Sequence, residues 1–263
     1  MTLPHGVLLT VAYDGRDFAG FAPQEGTRTA SQVLQAALQK IDAGASTVRG
    51  ASRTDSGVHA RGQRVAFDPS AERPLTAWIY GVARFLPDTM SVRRASHVAR
   101  GFGPRYASRS KHYRYLILGD AVRDPFWDGR AWRVPEMRGD AALERALLEA
   151  ASALGTHDFG AFKTAKDPRT MTVRTLSEVA ISRDPGDPRL VRVDVRGNAF
   201  MHNMVRILVG TIVDVAREHR EPGMIQRALT STRREDAGIT APAEGLYLES
   251  MDLEVEELGV LAP

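Results

Sequence analysis

An arginine and a carboxylate two residues apart, Arg53 and Asp55, sit in a run of small residues: Ala51-Ser52-Arg53-Thr54-Asp55-Ser56-Gly57-Val58-His59-Ala60. Gly50 and Gly57 bracket it, and a loop of this kind lets a partner approach its backbone closely. If the loop is extended at this point, both side chains project to the same side. A carboxylate presented so can act as a nucleophile or a base. An aspartate in such a polar turn can equally bond its own backbone. On this stretch alone both readings stand.

Three other places carry residues that could do chemistry. The segment Val205-Arg206-Ile207-Leu208-Val209-Gly210-Thr211-Ile212-Val213 is apolar nearly all round, which marks a buried helix, and Arg206 is its one charge. A buried guanidinium keeps its proton and needs a carboxylate and further acceptors. Asp214 is eight residues on, more than two turns away, so the partner is expected from elsewhere, with Asp55 the candidate. A purely structural ion pair satisfies the same requirement. Tyr113 follows Lys111 on a strand-like run with Tyr115. It is either a packing ring or a ring for a base with a hydroxyl for a proton. His157-Asp158, in Gly155 to Phe162, invites a hydrolase reading, but no Gly-x-Ser-x-Gly elbow accompanies it. With no Walker loop, no His-Glu-x-x-His and no cysteine, nothing supports a metal or a cofactor.

The elements that must position these residues follow from periodicity. Val7, Leu9, Val11 and Tyr13 alternate as a strand, ended by Asp14-Gly15. Val33, Leu34, Ala37, Leu38 and Ile41 recur at helical spacing after a Thr29 or Ser31 cap. A strand-like piece ends near Val48, and another runs from Gln63 to Phe67. Pro74 opens a second helix, with Leu75, Trp78, Ile79, Val82 and Phe85 as its buried stripe. A strand covers Met90 to His97, and 98–110 reads as a connector. The pattern then resumes: a strand from His112 to Leu118, a helix buried through Leu143, Leu147, Ala150 and Leu154, and strands Val173–Ile181 and Leu190–Val195 joined by a tight turn. A long helix from about Phe200 to Arg217, a short one from Pro222 and a closing strand from Gly245 to Val255 complete the chain. Short connections between neighbouring strands favour antiparallel pairing, hence α+β with helices on one sheet face.

Composition narrows the class. The chain has 263 residues, 43% hydrophobic, enough for a real core. No apolar run approaches the ~20 residues of a membrane span. Met1 to Thr10 lacks the basic-then-apolar pattern of a signal peptide. The cytoplasm is the expected address. Residues 1–110 hold 14 Lys+Arg against 8 Asp+Glu, whereas residues 111–263 hold 21 against 24. Only four of the 35 basic residues are lysines. Arginine suits bidentate phosphate recognition, although a GC-rich genome gives the same excess. The local clusters Arg49, Arg53, Arg61, Arg64 and Arg93, Arg94, Arg100, Arg105, Arg109, Lys111 suit a polyanion or, equally, a solvated surface.

In order along the chain, six stretches resemble the motifs of the tRNA pseudouridine synthase A family. They are Tyr13-Asp14-Gly15 with Phe18, Gly20, Phe21 and Gln24; Arg53 to Ala60; Arg105-Tyr106-Ala107 with Lys111, Tyr113 and Tyr115; Gly155 to Phe162; Gly197-Asn198-Ala199-Phe200 through Met204-Val205-Arg206; and Ala241 to Leu248. Two departures stand out: Ser56 where Ala is usual, and Phe102-Gly103-Pro104-Arg105 where Phe-His-Ala-Arg is usual. The resemblance implies isomerisation of uridine to pseudouridine in the tRNA anticodon stem-loop, around positions 38 to 40, without cofactor or metal. It implies Asp55 as the catalytic carboxylate, Tyr113 against the target base and Arg206 paired with Asp55. Arg53 would replace the flipped base, and Leu246 would pack on the uracil. Arg61, Arg64, Arg93, Arg94, Arg105, Arg109 and Lys111 are the candidate RNA contacts. The implied fold is two similar α+β halves, 1–109 with the Asp loop and 110–263 with the Arg206 helix. They would share a central mixed, mainly antiparallel sheet with the active cleft between them, in a homodimer. The rivals are an RNA-binding protein without chemistry and a hydrolase using His157 and Asp158.

Charge makes one expectation testable at once. Binding to RNA should weaken with salt, because arginines displace counterions from phosphates. Neutralising Arg93 and Arg94 together should flatten the log–log slope of affinity against salt, and an unchanged slope would place the RNA elsewhere.

Overall fold

The computed structural model describes residues 4–164 and 167–262. The chain divides into two compact units, one built from residues up to Arg109 and from Leu248 onward, the other from Ser110–Tyr247. The last residues of the chain therefore pack with the first.

In the first unit, β1 (His5–Tyr13) leads through a helical turn (Gly15–Asp17) to helix α1 (Ala30–Ile41). Gln32 Oε1 accepts from both the amide and the hydroxyl of Thr29, which fixes the start of α1 at the expected cap. The two-residue β2 (Arg49–Gly50) precedes the 51–58 loop, and β3 (His59–Phe67) follows it. A π-helical turn (Ala77–Gly81) lies within the expected second helix, and β4 (Met90–Ala99) comes next. Leu75, Trp78, Ile79 and Val82 are buried there, but Phe85 is 48% exposed. The helical hydrogen bonding ends before Phe85, which falls in a turn and leaves the stripe.

The second unit opens with β5 (Ser108–Leu118), so both strands flanking the connector reach further into it than periodicity suggested. β6 (Trp132–Arg133), helix α2 (Asp140–Ala151), β7 (Gly155–Asp158), β8 (Val173–Arg183), β9 (Leu190–Gly197) and helices α3 (Met204–Ala216) and α4 (Met224–Ser231) follow. Strands run β5-β9-β8-β7, antiparallel, with β6 parallel on β5. α2 forms over the expected stretch but ends at Ala151, so Leu154, 44% exposed, lies beyond it; within it Leu147 is 45% exposed while Ala142, Ala146 and Ala150 are buried. The buried face carries these alanines together with Glu149, and α2 packs against α3. α3 starts at Met204, not near Phe200, because Asn203 takes a left-handed conformation (φ 62°) that interrupts the helix.

β10 (Leu246–Leu253) does not close the chain. It is followed by β11 (Leu258–Leu261), which pairs with β4 at the edge of the first unit in the order β11-β4-β1-β3. The architecture is α+β with mostly antiparallel pairing, as expected. In the first unit, however, both sheet faces are covered. Val7, Leu9 and Phe67 lie on the face that carries Trp78, whose ring meets Phe67 edge-on at 5.0 Å. Leu8, Ala66 and Val98 lie on the other, beneath Phe102, Leu253 and Val255. No described helix is long and apolar enough to cross a membrane.

The returning tail also neutralises charge. Glu257 accepts Arg64 at 2.7 Å, Arg94 at 3.2 Å and the Ser96 hydroxyl at 2.6 Å. Removing one partner of a buried ion pair strands the other. Glu257→Ala should therefore cost about 3 kcal/mol of unfolding free energy, read by urea denaturation. A loss near zero would show the tail contributes apolar cover only.

Candidate active site

The Arg53–Asp55 loop is held from both ends. Fully buried Gln63 clamps Ser52, accepting its amide at 3.2 Å and donating to its carbonyl at 2.7 Å. The Tyr13 and Thr54 hydroxyls bond at 2.7 Å inside the unit. The Phe21 amide donates to the Thr54 carbonyl at 3.0 Å. After Asp55 the chain turns back through a Val58 amide to Asp55 carbonyl bond of 3.1 Å, with Gly57 at φ 78°. Only a residue tolerant of that conformation fits there, which accounts for the glycine.

The first motif forms the bed on which this loop lies. A Cβ at Gly15 would collide with the Val58 carbonyl, and one at Gly20 would come 2.9 Å from the Thr54 carbonyl. Backbone thus rests on backbone, and the Tyr13–Gln24 and Ala51–His59 stretches make one built site. The Gly15 amide lies 3.1 Å from buried His59 Nδ1, and the Asp14 carboxylate lies 3.3 Å from the same nitrogen. Asp14 holds Arg16 through both carboxylate oxygens. Burial pushes the Asp14 carboxyl up, but hydrogen bonds from the Arg16 side chain and amide outweigh it and bring the pKa down to about 2. Arg53 is exposed and Asp55 is half-buried.

In the second unit, Arg206 is half-buried on α3. Its Nε donates to the Ala241 carbonyl at 2.7 Å and its Nη1 to Asn203 Oδ1 at 2.8 Å. The Ala241 amide in turn donates to the Arg206 carbonyl at 3.1 Å. Asp214 accepts the Ile239 amide instead. Gly210 allows this approach, since a Cβ there would strike the Ile239 carbonyl. Tyr113 is 6% exposed and meets Phe200 edge-on at 5.1 Å. Fully buried Tyr115 donates to the Pro242 carbonyl at 2.7 Å, and burial pushes its hydroxyl well above the ordinary tyrosine value. Leu246 is 5% exposed.

A family model described as tRNA pseudouridine synthase matches residues 9–107 and 150–252. The chain is 40% identical over 239 residues to tRNA pseudouridine synthase A of Halalkalibacterium halodurans, covering 90% of this chain and 89% of that one. It is 37% identical to the Geobacter sulfurreducens protein of the same name, covering 93% and 98%, and 37% identical to that of Staphylococcus aureus strain MRSA252, covering 96% and 93%. The chain belongs to the tRNA pseudouridine synthase family.

The family match covers the Asp55 loop, its bed and the Arg206 helix, while Tyr113 falls between the two matched segments. The candidate RNA contacts divide by environment. Arg64 is 7% exposed and bonded to Glu257 and Thr10, so its charge is neutralised inside the unit and not offered at the surface. Arg94 is half-buried on the same Glu257. Arg61 lies 3.6 Å from Glu249, and Arg109 pairs with Glu254 at 2.5 Å while both stay exposed. Lys111 is half-buried. Arg93 and Arg105 are exposed and enter no ion pair among the described residues. His157 and Asp158 make no dyad: the His157 ring donates to the Leu154 carbonyl at 2.7 Å, and Asp158 accepts the Gly160 amide at 2.9 Å.

Sequence reading missed Gln63, Asn203 and Asp167. Asp167 is buried and receives Arg169 and the His202 amide. Asn203 just before α3 and a glutamine at the head of the alternating run to Phe67 were the available signals.

The Asp14 carboxyl gives the site a pH dependence. Its folded pKa lies below the ordinary 3.8, so its contribution is complete above that value and is lost as pH falls through about 2. Thermal unfolding of Asp14→Asn should therefore lie below the native midpoint near neutral pH. The gap should close between about pH 4 and pH 2.

Proposed function

We propose that this chain isomerises uridine to pseudouridine in the anticodon stem-loop of tRNA, at positions 38 to 40. Family membership over nearly the whole chain supports the reaction. The observation that carries the assignment of the carboxylate is the Asp55 loop itself, fixed through Gln63, Thr54 and the glycines of the first motif. Catalytic groups need this kind of support from residues that are themselves locked.

The reaction breaks C1′–N1 and forms C1′–C5, then removes the C5 proton while N1 gains one. No electrons are gained or lost overall. Asp55 acts at the sugar, as nucleophile on C1′ or as a base. Tyr113 is the group proposed at C5. The target uridine must leave its stack, at a cost of a few kcal/mol. Arg53 is proposed to fill the vacated place and Leu246 to pack on the uracil. Arg206 belongs to the catalytic set, its helix and the Ala241 turn being held to each other. Arg61, Arg93, Arg105, Arg109 and Lys111 are the proposed phosphate contacts, with Arg94 weakened in that role by Glu257. A homodimer is proposed on the family resemblance, and a cytoplasmic location on the composition.

Asp55→Asn and Asp55→Ala should keep tRNA binding within a few fold and abolish tritium release from tRNA labelled at uracil C5. Arg206→Met should lower turnover far more than affinity. Native protein that binds tRNA without releasing tritium would favour RNA binding without chemistry. Turnover by either Asp55 variant would remove Asp55 from its role.

A further inference from the structure

The connector between β4 and β5 carries the motif departure Phe102-Gly103-Pro104-Arg105, and beside it the most exposed of the large apolar side chains, Tyr106, at 93%. A scattered exposed aromatic is ordinary. This one differs because the turn beneath it is fixed. The Gly101 amide donates to Asp68 at 2.9 Å, and Arg49 bridges Asp68 and the Phe102 carbonyl at 3.0 and 2.9 Å. The Tyr106 amide closes on the Gly103 carbonyl at 3.0 Å, and the Glu254 amide donates to the Ala107 carbonyl at 2.8 Å. Pro104 is buried.

Gly103 explains how the ring is posed. A Cβ at that position would come 3.1 Å from Tyr106 Cδ2. The ring edge therefore rests over the glycine, and the rest of the ring projects into solvent. A side chain at 103, as in the usual Phe-His-Ala-Arg, would press on it. The charges around the turn are mixed: exposed Arg100, anchored to the Pro69 carbonyl at 3.2 Å, is countered by Asp68, and Glu254 holds Arg109, whereas Arg105 is exposed without an ion pair among the described residues.

We propose that Tyr106, propped on Gly103 and next to the exposed Arg105, is a stacking platform for one unpaired nucleotide of the RNA substrate. Aromatic side chains take any base on their π-face, and adjacent arginines hold the flanking phosphates. Pre-anchoring the turn lowers the ordering cost of binding. Apolar cover by a second copy of the chain is the competing use of an exposed ring. The exposed Arg105 next to it suits a polyanion better. The proposal rests on the tRNA reading above.

The test is equilibrium binding of native and variant protein to anticodon stem-loop RNA, with the loop nucleotides made abasic one at a time. Tyr106→Ala should weaken binding about tenfold, a typical loss for one stacked base. Tyr106→Phe should bind as the native protein does, and Gly103→Ala should weaken binding by tilting the ring. One abasic RNA should bind native protein as weakly as intact RNA binds Tyr106→Ala, with no further loss when the two are combined. Tyr106→Trp should lose indole fluorescence on that site alone. Native-like binding by Tyr106→Ala, losses that add for every abasic RNA, or a change in oligomeric state without a change in affinity would overturn the platform. Failure of native protein to bind the RNA at all would overturn the tRNA reading and the platform with it.

Discussion

Close contact of one backbone on another governs the first unit. The Asp55 loop offers few side chains large enough to anchor it, so its rigidity must come from its own peptide groups. Those groups are met by Phe21, by Gln63 and by the glycine-bearing turn at Gly15 and Gly20. Any side chain at those glycines would lift the bed away from the loop. A buried peptide group left without a partner is costly, so each of these bonds also stabilises the fold that makes it. The glycines around Asp55 and those near the N-terminus therefore answer to the same constraint.

The second unit applies the same device to a helix. Gly210 lets the 239–241 backbone lie directly on α3, and Arg206 ties the two together through both its backbone and its guanidinium. Apart from half-buried Arg206, the side chains of this helix are buried, as the apolar run predicts. The Arg206 acceptors within the unit include a carbonyl and an amide oxygen. Asn203, strained into the left-handed region, supplies one of them and also sets where the helix begins.

Charge is organised by the C-terminal tail. Glu257 collects Arg64 and Arg94 on the sheet face that Leu253 and Val255 cover. This leaves Arg93, on the same strand, exposed. Neighbouring arginines thus have opposite fates because the pairing of β4 on β1 shifts register between Arg94 and Val92, leaving Arg93 as the extra residue of a bulge.

The sequence by itself determined most of the longer strands and helices, the α+β class, the α1 cap and the glycine-bracketed carboxylate. These depend on short-range chemistry: periodicity, capping and turn conformation all act within a few residues. Tertiary structure decided what depends on distant partners. Arg64 is neutralised by a glutamate 193 positions away, which no local pattern announces. α2, which packs on α3, buries Ala142, Ala146, Glu149 and Ala150 and leaves Leu147 and Leu148 exposed, a choice of face that periodicity alone did not reveal. Phe85 leaves its stripe because the helix ends first, and β11 forms because β4 offers it an edge. The bed beneath Asp55 was visible only as two separate motifs. Backbone packing through Gly15 and Gly20 joins them, and a glycine in a sequence does not say what it makes room for.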